Sequence, residues 1–205
     1  MEMQGSRHLA VSQQQAWDAL NDPDVLKACI PGCERMEATG EGQFAVGVAV
    51  KIGPVAARFA GKVALSDIDP PTRYTLSFDG QGGAAGFGKG QSQVSLAAAA
   101  DGRGCDLTYT VNAQVGGKIA QMGQRLIDGV AKSMAEDFFK RFDAAMQQRH
   151  PEAYAAEAEA VAGAAAAAGA PAPAAPPEGS GAAIPAWLWG AGAVIVAAAV
   201  FLLTR

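Results

Sequence analysis

Residues 105–148 read CDLTYTVNAQVGGKIAQMGQRLIDGVAKSMAEDFFKRFDAAMQQ, and the period of their apolar positions changes partway along. Up to residue 115, Leu107, Tyr109 and Val111 alternate with polar neighbours, the twofold repeat of a strand with one buried face. From residue 118 onward Ile119, Met122, Leu126, Ile127, Val130, Met134, Phe138, Phe142 and Met146 return mostly at spacings of three and four. That spacing predicts a long amphipathic helix over 118–148. A sheet that is apolar on one face needs a cover, and this helix supplies one.

Working back toward the N-terminus, the twofold repeat recurs. Phe44, Val46, Val48, Val50 and Ile52 share a face, Gly53-Pro54 turns the chain, and Val55, Ala57, Phe59, Val63 and Leu65 return along the same side. Arg58 and Lys62 fall on the other side, so one face is wet. Asp69-Pro70-Pro71 reads as a turn into a strand with Tyr74, Leu76 and Phe78 inward, and residues 91–100 continue the meander to a turn at 101–104. At the start, residues 3–11 read as a strand, and Ser12 with Gln15 makes a capping box for a short helix to Leu20. Asp22 and Pro23 open a second short helix with Val25 and Leu26 inward, ended by Pro31-Gly32. The expected fold is α+β, a curved antiparallel sheet wrapped around a long C-terminal helix as a cup. The inward positions expected to line an apolar cavity are Phe44, Val46, Val48, Phe59, Val63, Leu76, Phe78, Phe87, Tyr109, Leu126 and Val130.

This domain occupies residues 1–150. Residues 151–183 are rich in Ala, Pro and Glu, with too few large apolar groups for a core, and are expected to form a flexible linker, with a partly helical Ala/Glu stretch as the alternative. Residues 184–203 carry no charge, and twenty residues at about 1.5 Å each span roughly the 30 Å of a bilayer core, so a single-pass transmembrane anchor is expected. Trp187 and Trp189 would mark its near interface. Residues 1–15 lack a basic region followed by an apolar run, so the domain is expected on the cytoplasmic side of the membrane.

Several chemistries are excluded on composition. Residues 1–150 hold 15 Lys and Arg against 16 Asp and Glu, a net −1, with the basic residues scattered singly, so nucleic acid is not the expected partner. Cys29, Cys33 and Cys105 offer no paired CxxC and no nearby His, so no metal is expected. GQGGAAGFGKG at 80–90 nearly satisfies two phosphate-loop patterns, but it runs into alternating strand rather than a helix N-terminus. A bend or hairpin at the cavity mouth is the better reading. His8 and His150 lie apart without acid–base partners in the sequence, and no catalytic residue is expected.

With these residues in view, the chain resembles the CoxG family, the G-subunits of carbon monoxide dehydrogenase, within the START-like (Bet v 1-like, SRPBCC) helix-grip superfamily. The carriers are CIPGCE (29–34), IGPVAARFAGKV (52–63), DPP (69–71), GGAAGFGKG (82–90) and GGKIAQMGQRLIDG (116–129). The resemblance implies a seven-stranded sheet gripping the helix, and an accessory role that recruits a molybdenum hydroxylase such as carbon monoxide dehydrogenase to the cytoplasmic membrane. It also implies a quinone or similar lipid as cavity guest, with no covalent cofactor. Two other readings stand beside this one: a ligand-free recruitment factor or assembly chaperone, and an enzyme acting on a small apolar substrate. Docking to a partner is expected through the loops at 31–35 and 82–90, with Pro31, Gly32, Glu34, Arg35, Gly86 and Lys89 as the candidates.

Overall fold

The alternating segments pair into one sheet, described in a computed structural model that covers residues 1–168. The elements run β1 (Glu2–Leu9), α1 (Gln13–Leu20), α2 (Pro23–Cys29), β2 (Cys33–Gly40), β3 (Gln43–Ile52), β4 (Val55–Asp69), β5 (Arg73–Gln81), β6 (Phe87–Ala98), β7 (Cys105–Gly116), α3 (Gln124–Arg149) and α4 (Pro151–Ala168). The strand order is β1-β7-β6-β5-β4-β3-β2, with every neighbour antiparallel. The register aligns apolar rows across the strands. Phe44 lies opposite Val63 and Val63 opposite Phe78, while Tyr74, Val94 and Tyr109 make a parallel row. Because side chains alternate faces, these rows share the inner face and leave Arg58, Lys62, Gln91 and Thr110 on the outer one.

Strand β2 escapes the reading of apolar alternation. Its sequence CERMEATG buries only Met36, as suits an edge strand whose charged side chains blunt the open edge. Strand β6 also begins four residues earlier than expected, at Phe87.

The cover is α3. Phe142 and Met146 have no exposed surface and pack in one cluster with Leu9, Trp17, Leu20, Leu96 and Leu107. Burying a residue of this size contributes about 1.5–3 kcal/mol. The helix starts six residues later than its apolar period suggests. Gly123 adopts φ 90°, a left-handed backbone that ends the preceding 3-10 turn at Ala120–Met122. The capping box of α1 forms as read: the Gln15 amide donates to Ser12 Oγ (3.3 Å) and the Ser12 amide to Gln15 Oε1 (2.9 Å). Asp22 caps α2 and also accepts from Arg149 at 3.1 Å, tying α2 to the end of α3. Burial opposes ionisation of the Asp22 carboxyl, but the amides of Asp24 and Val25 with the Arg149 guanidinium outweigh it and hold it below its ordinary range.

The expected linker does not begin at residue 151. Pro151 suits a first helical turn and the Ala-rich run after it has the best intrinsic helix propensity, so the chain continues as α4. Ala153 and Tyr154 pack against the main core, and the Tyr154 hydroxyl donates to the Asp143 carboxylate. His8 bridges Asp106 on β7 (2.9 Å) and Glu157 on α4 (3.1 Å). Met1–Ala166 thus form one compact unit. Among the described residues no helix is long and apolar enough to cross a membrane; the expected span at 184–203 and the rest of the expected linker lie outside them.

The glycine-rich motif at 82–90 is the β5–β6 connection, with a 3-10 turn at Gly83–Ala85 and a Gly82 amide bonded to the Gly86 carbonyl at 2.7 Å. No helix opens from it. Gly86, at φ 123°, lies directly against the Gly116 carbonyl and Gly117 Cα, and the Ile119 amide donates to the Ala85 carbonyl at 3.0 Å. The two glycine motifs therefore clasp each other. At Gly83 (φ 57°) the surrounding space is open, so only backbone strain opposes a side chain. Gly83→Ala is expected to cost about 1 kcal/mol and Gly86→Ala about 3 kcal/mol or more, because the latter adds a backbone collision to the strain. Urea unfolding of the two variants measures the difference; equal costs would contradict the clasp.

Donation from the His8 imidazolium to the Asp106 carboxylate raises the His8 pKa, burial works against it, and Glu157 adds to the rise. A raised folded value means the contribution of this cluster is complete below His8's ordinary 6.5 and is lost as pH climbs through the folded value. With the His8 side chain 40% exposed the effect is local. Amides of α4 near Glu157 should exchange faster at pH 8.5 than at pH 6 after correction for intrinsic rates, and His8→Gln should remove the difference. Unchanged protection would refute the linkage.

Candidate functional site

Between α3, the α1–α2 pair and the inner sheet face lies a cavity of about 350 Å³. Leu20, Leu26 and Ile30 form one wall; Met36, Phe44, Val63, Leu65, Leu76, Phe78, Val94, Leu107 and Val111 form the floor; Ala135, Phe138 and Phe139 form the roof. The space exists because α3 presents a small Ala135 where it crosses the sheet, with Phe138 and Phe139 following one turn later and Phe142 two. A larger depression of about 660 Å³ lies at the β1–β7–β6 side, but its lining includes Glu2, Gln4, Gln91, Gln93, Thr110 and Asn112, polar side chains of the outer sheet face.

Of the residues expected to line the cavity, the structure brings together Phe44, Val63, Leu76, Phe78 and Tyr109. Val46 and Val48 share the inner face by register but lie beyond the cavity lining. Phe59 and Val130 belong to a second cluster around Ile52, Ala85 and Ile119. Leu126 is 38% exposed and sits over Gly53 at the β3–β4 turn, one consequence of the late start of α3. Phe87 pairs with Gly116 while its neighbour Gly88 pairs with Val115 of the second cluster, so Phe87 is on the outer face with its ring over Gly116. Strand β6 runs without a break in register from Phe87, so counting back by twos from Val94 reaches Gly88; the sequence reading starts this strand at residue 91 and leaves Phe87 outside the repeat. Tyr74 and Val94 follow from the same twofold repeat as their neighbours; Leu20, Ile30 and Ser92 carry no such signal.

Nothing charged lines the cavity; its polar side chains are Tyr74, Ser92 and Tyr109, and the Tyr109 hydroxyl is carried away over Gly5 of β1. Tyr74 packs edge-on against Trp17 at 5.5 Å, and burial holds its phenol protonated far above the usual range. Tyr109 stacks on Phe139 at 5.4 Å, with the Arg7 guanidinium 5.6 Å from the Phe139 ring centre. Gly5 makes room for that arrangement: a Cβ there would lie 2.5 Å from the Tyr109 hydroxyl. This arrangement suits holding an apolar molecule and offers no nucleophile and base within reach of each other. Among the described residues no group of three His, Cys, Asp or Glu side chains is arranged to hold a metal.

The expected docking residues divide between turns and strands. Pro31 and Gly32 form the turn after α2, and Gly32, at φ 73°, abuts the Ala49 carbonyl. Glu34 and Arg35 are not in a loop but on β2, where Glu34 pairs with Arg58 (3.0 Å) and Arg35 with Glu37 (3.1 Å). Gly86 ends the glycine turn, and Lys89 is on β6 opposite Asp79.

Residues 5–147 match the model of the CoxG family, described as the G-subunit of carbon monoxide dehydrogenase. Among solved structures, a conserved protein from Geobacillus kaustophilus is 34% identical, with a TM-score of 0.68, 72% of this chain covered and 96% of that one. The Zhui aromatase/cyclase from Streptomyces sp. R1128 is 13% identical (TM-score 0.54; 73% and 94% covered), and Ara h 8.0201 is 18% identical (TM-score 0.53; 72% and 98% covered). At these identities the last two show a shared Bet v 1-like fold alone. A search of curated proteins found no match.

The thiols supply a check on the absence of reactive chemistry. Burial raises Cys29 and Cys33, and pushes Cys105 up to about 11 with help from Asp106. Alkylation at pH 8 followed by intact mass is expected to label the half-buried Cys33 first and slowly, with Cys29 and Cys105 reacting only on unfolding. Rapid labelling of Cys105 in the folded protein would contradict this.

Proposed function

Because this chain belongs to the CoxG family of carbon monoxide dehydrogenase, we propose that it is a non-catalytic accessory protein with two tasks. It takes the head of a quinone-like lipid into the cavity, and it holds a molybdenum hydroxylase of the carbon monoxide dehydrogenase type at the cytoplasmic membrane. Electrons from the hydroxylase then have a short path to the respiratory chain. The observation that carries this reading is the uncharged cavity of about 350 Å³ beneath α3. A water-filled site of that lining is poorly solvated, so transfer of an apolar guest into it is favourable by roughly 25 cal/mol per Å² of apolar surface removed from water. The uncharged run at 184–203 supports the tether.

Ala135→Leu tests the cavity. The added side chain fills empty space, so the thermal midpoint is expected to stay level or rise by a few degrees, while the quinone recovered with the full-length protein from its host falls at least tenfold. Co-purification of the hydroxylase should persist, since the cavity is internal. Undiminished quinone recovery in this variant would sink the reading. Removing residues 184–205 is expected to move the hydroxylase from the membrane fraction to the soluble one; an unchanged distribution would remove the tether from the account.

A further inference from the structure

Two buried side chains on the inner sheet face carry hydroxyls that make no hydrogen bond within the described fold, although the Tyr74 ring itself packs in the core. Tyr74 is 6% exposed and Ser92 8% exposed, and both line the cavity. Neither hydroxyl has a hydrogen-bond partner among the described residues. Yet no polar side-chain atom there is sealed off unpartnered, so each hydroxyl keeps some accessible surface, and both residues line the cavity. They are also neighbours. Tyr74 pairs with Val94 and Leu76 with Ser92, which places Tyr74 and Ser92 diagonally across β5 and β6 on the inner face, about 7 Å apart at Cβ. A hydroxyl kept in an apolar row without a protein partner is costly, and Ser92 stands where its row neighbours are Leu76 and Val111.

We propose that Tyr74 and Ser92 are the polar anchor that selects the guest: a neutral molecule of one or two rings carrying a carbonyl or hydroxyl oxygen. The inference rests on the cavity reading above and adds what the cavity chooses. Tyr74 supplies a donor, and Ser92 a donor or acceptor. Burial keeps the tyrosine neutral, so its proton remains available throughout the physiological range. With no Lys, Arg, His, Asp or Glu in the lining, a carboxylate, phosphate or ammonium group would enter unpaired and is rejected. The size limit follows from volume. A cavity of roughly 150 Å³ holds benzene, and about 350 Å³ is a little over twice that. A long hydrocarbon tail must therefore leave through the opening while the ringed head stays at the anchor.

The test compares three bicyclic probes on the full-length protein by titration calorimetry: tetralin, 1-tetralone and 2-naphthoate. The ketone is expected to bind about tenfold tighter than the hydrocarbon, and the carboxylate at least tenfold weaker than the ketone. Tyr74→Phe and Ser92→Ala should each reduce the ketone's advantage to about threefold, and the double variant should abolish it, with tetralin affinity unchanged. Thermal midpoints of the variants confirm that the fold is intact. Tetralin and tetralone binding equally to the wild type would overturn the anchor while leaving the cavity reading in place, as would a ketone preference that survives in the double variant. Tight binding of 2-naphthoate would overturn the claim of neutrality. Failure of every probe to bind would remove the cavity reading and this inference together.

Discussion

Phe142 and Met146 determine where α3 can lie, and the rest of the molecule is arranged around that placement. Both are wholly removed from solvent between the first short helix and the strands carrying Leu9, Leu96 and Leu107. At the opposite end the left-handed Gly123 starts the helix late, and Ile127 is buried one turn on. A helix fastened by large side chains near both ends and carrying Ala135 between them spans a gap it does not fill. The open space is a consequence of that distribution of volume rather than of a separate device, and a close-packed interior keeps such a gap only if its walls are held rigidly.

The rigidity comes from backbone as much as from side chains. At the end of the sheet where α3 begins, Gly86 meets Gly116 and Gly117 with no space for a Cβ, so the β5–β6 turn and the β7–α3 connection are locked together. At the other end, the caps of α1 and α2, the Asp22–Arg149 pair and the docking of Tyr154 and Glu157 bind the short helices, β1 and α4 to the domain. Inside, the walls are hydrocarbon except for hydroxyls that no described residue engages. An uncharged lining with isolated hydroxyls suits a neutral guest better than a charged one.

Much of this architecture was readable from periodicity. The rows Phe44–Val63–Phe78 and Leu107–Tyr109–Val111, the Ser12–Gln15 box and the helical recurrence ending at Met146 all follow from the two periods of the chain. What escaped has identifiable physical causes. The edge strand Cys33–Gly40 shows one buried residue, so no alternation marks it. Phe87 falls outward by the alternation of the longer strand, which a reading that starts at residue 91 does not reach. Leu126 and Val130 carried the helical period but precede the stretch of α3 that roofs the cavity. The helical propensity of the Ala/Glu run after Pro151 was legible, but its docking through Tyr154 was not, since one tyrosine in a linker-like composition makes no pattern. Ser92 gave no signal, since a small polar residue in a strand is ordinary until its neighbours are known to be Leu76 and Val111.

The central claim is that the space under α3 is an occupied binding site. Native mass spectrometry of the full-length protein, taken from its own host and transferred without added lipid, measures this directly. The account predicts one neutral apolar molecule per chain, released on unfolding and identifiable by its mass. A chain that carries no bound molecule, and takes up none when offered the host's extracted lipids, would contradict it.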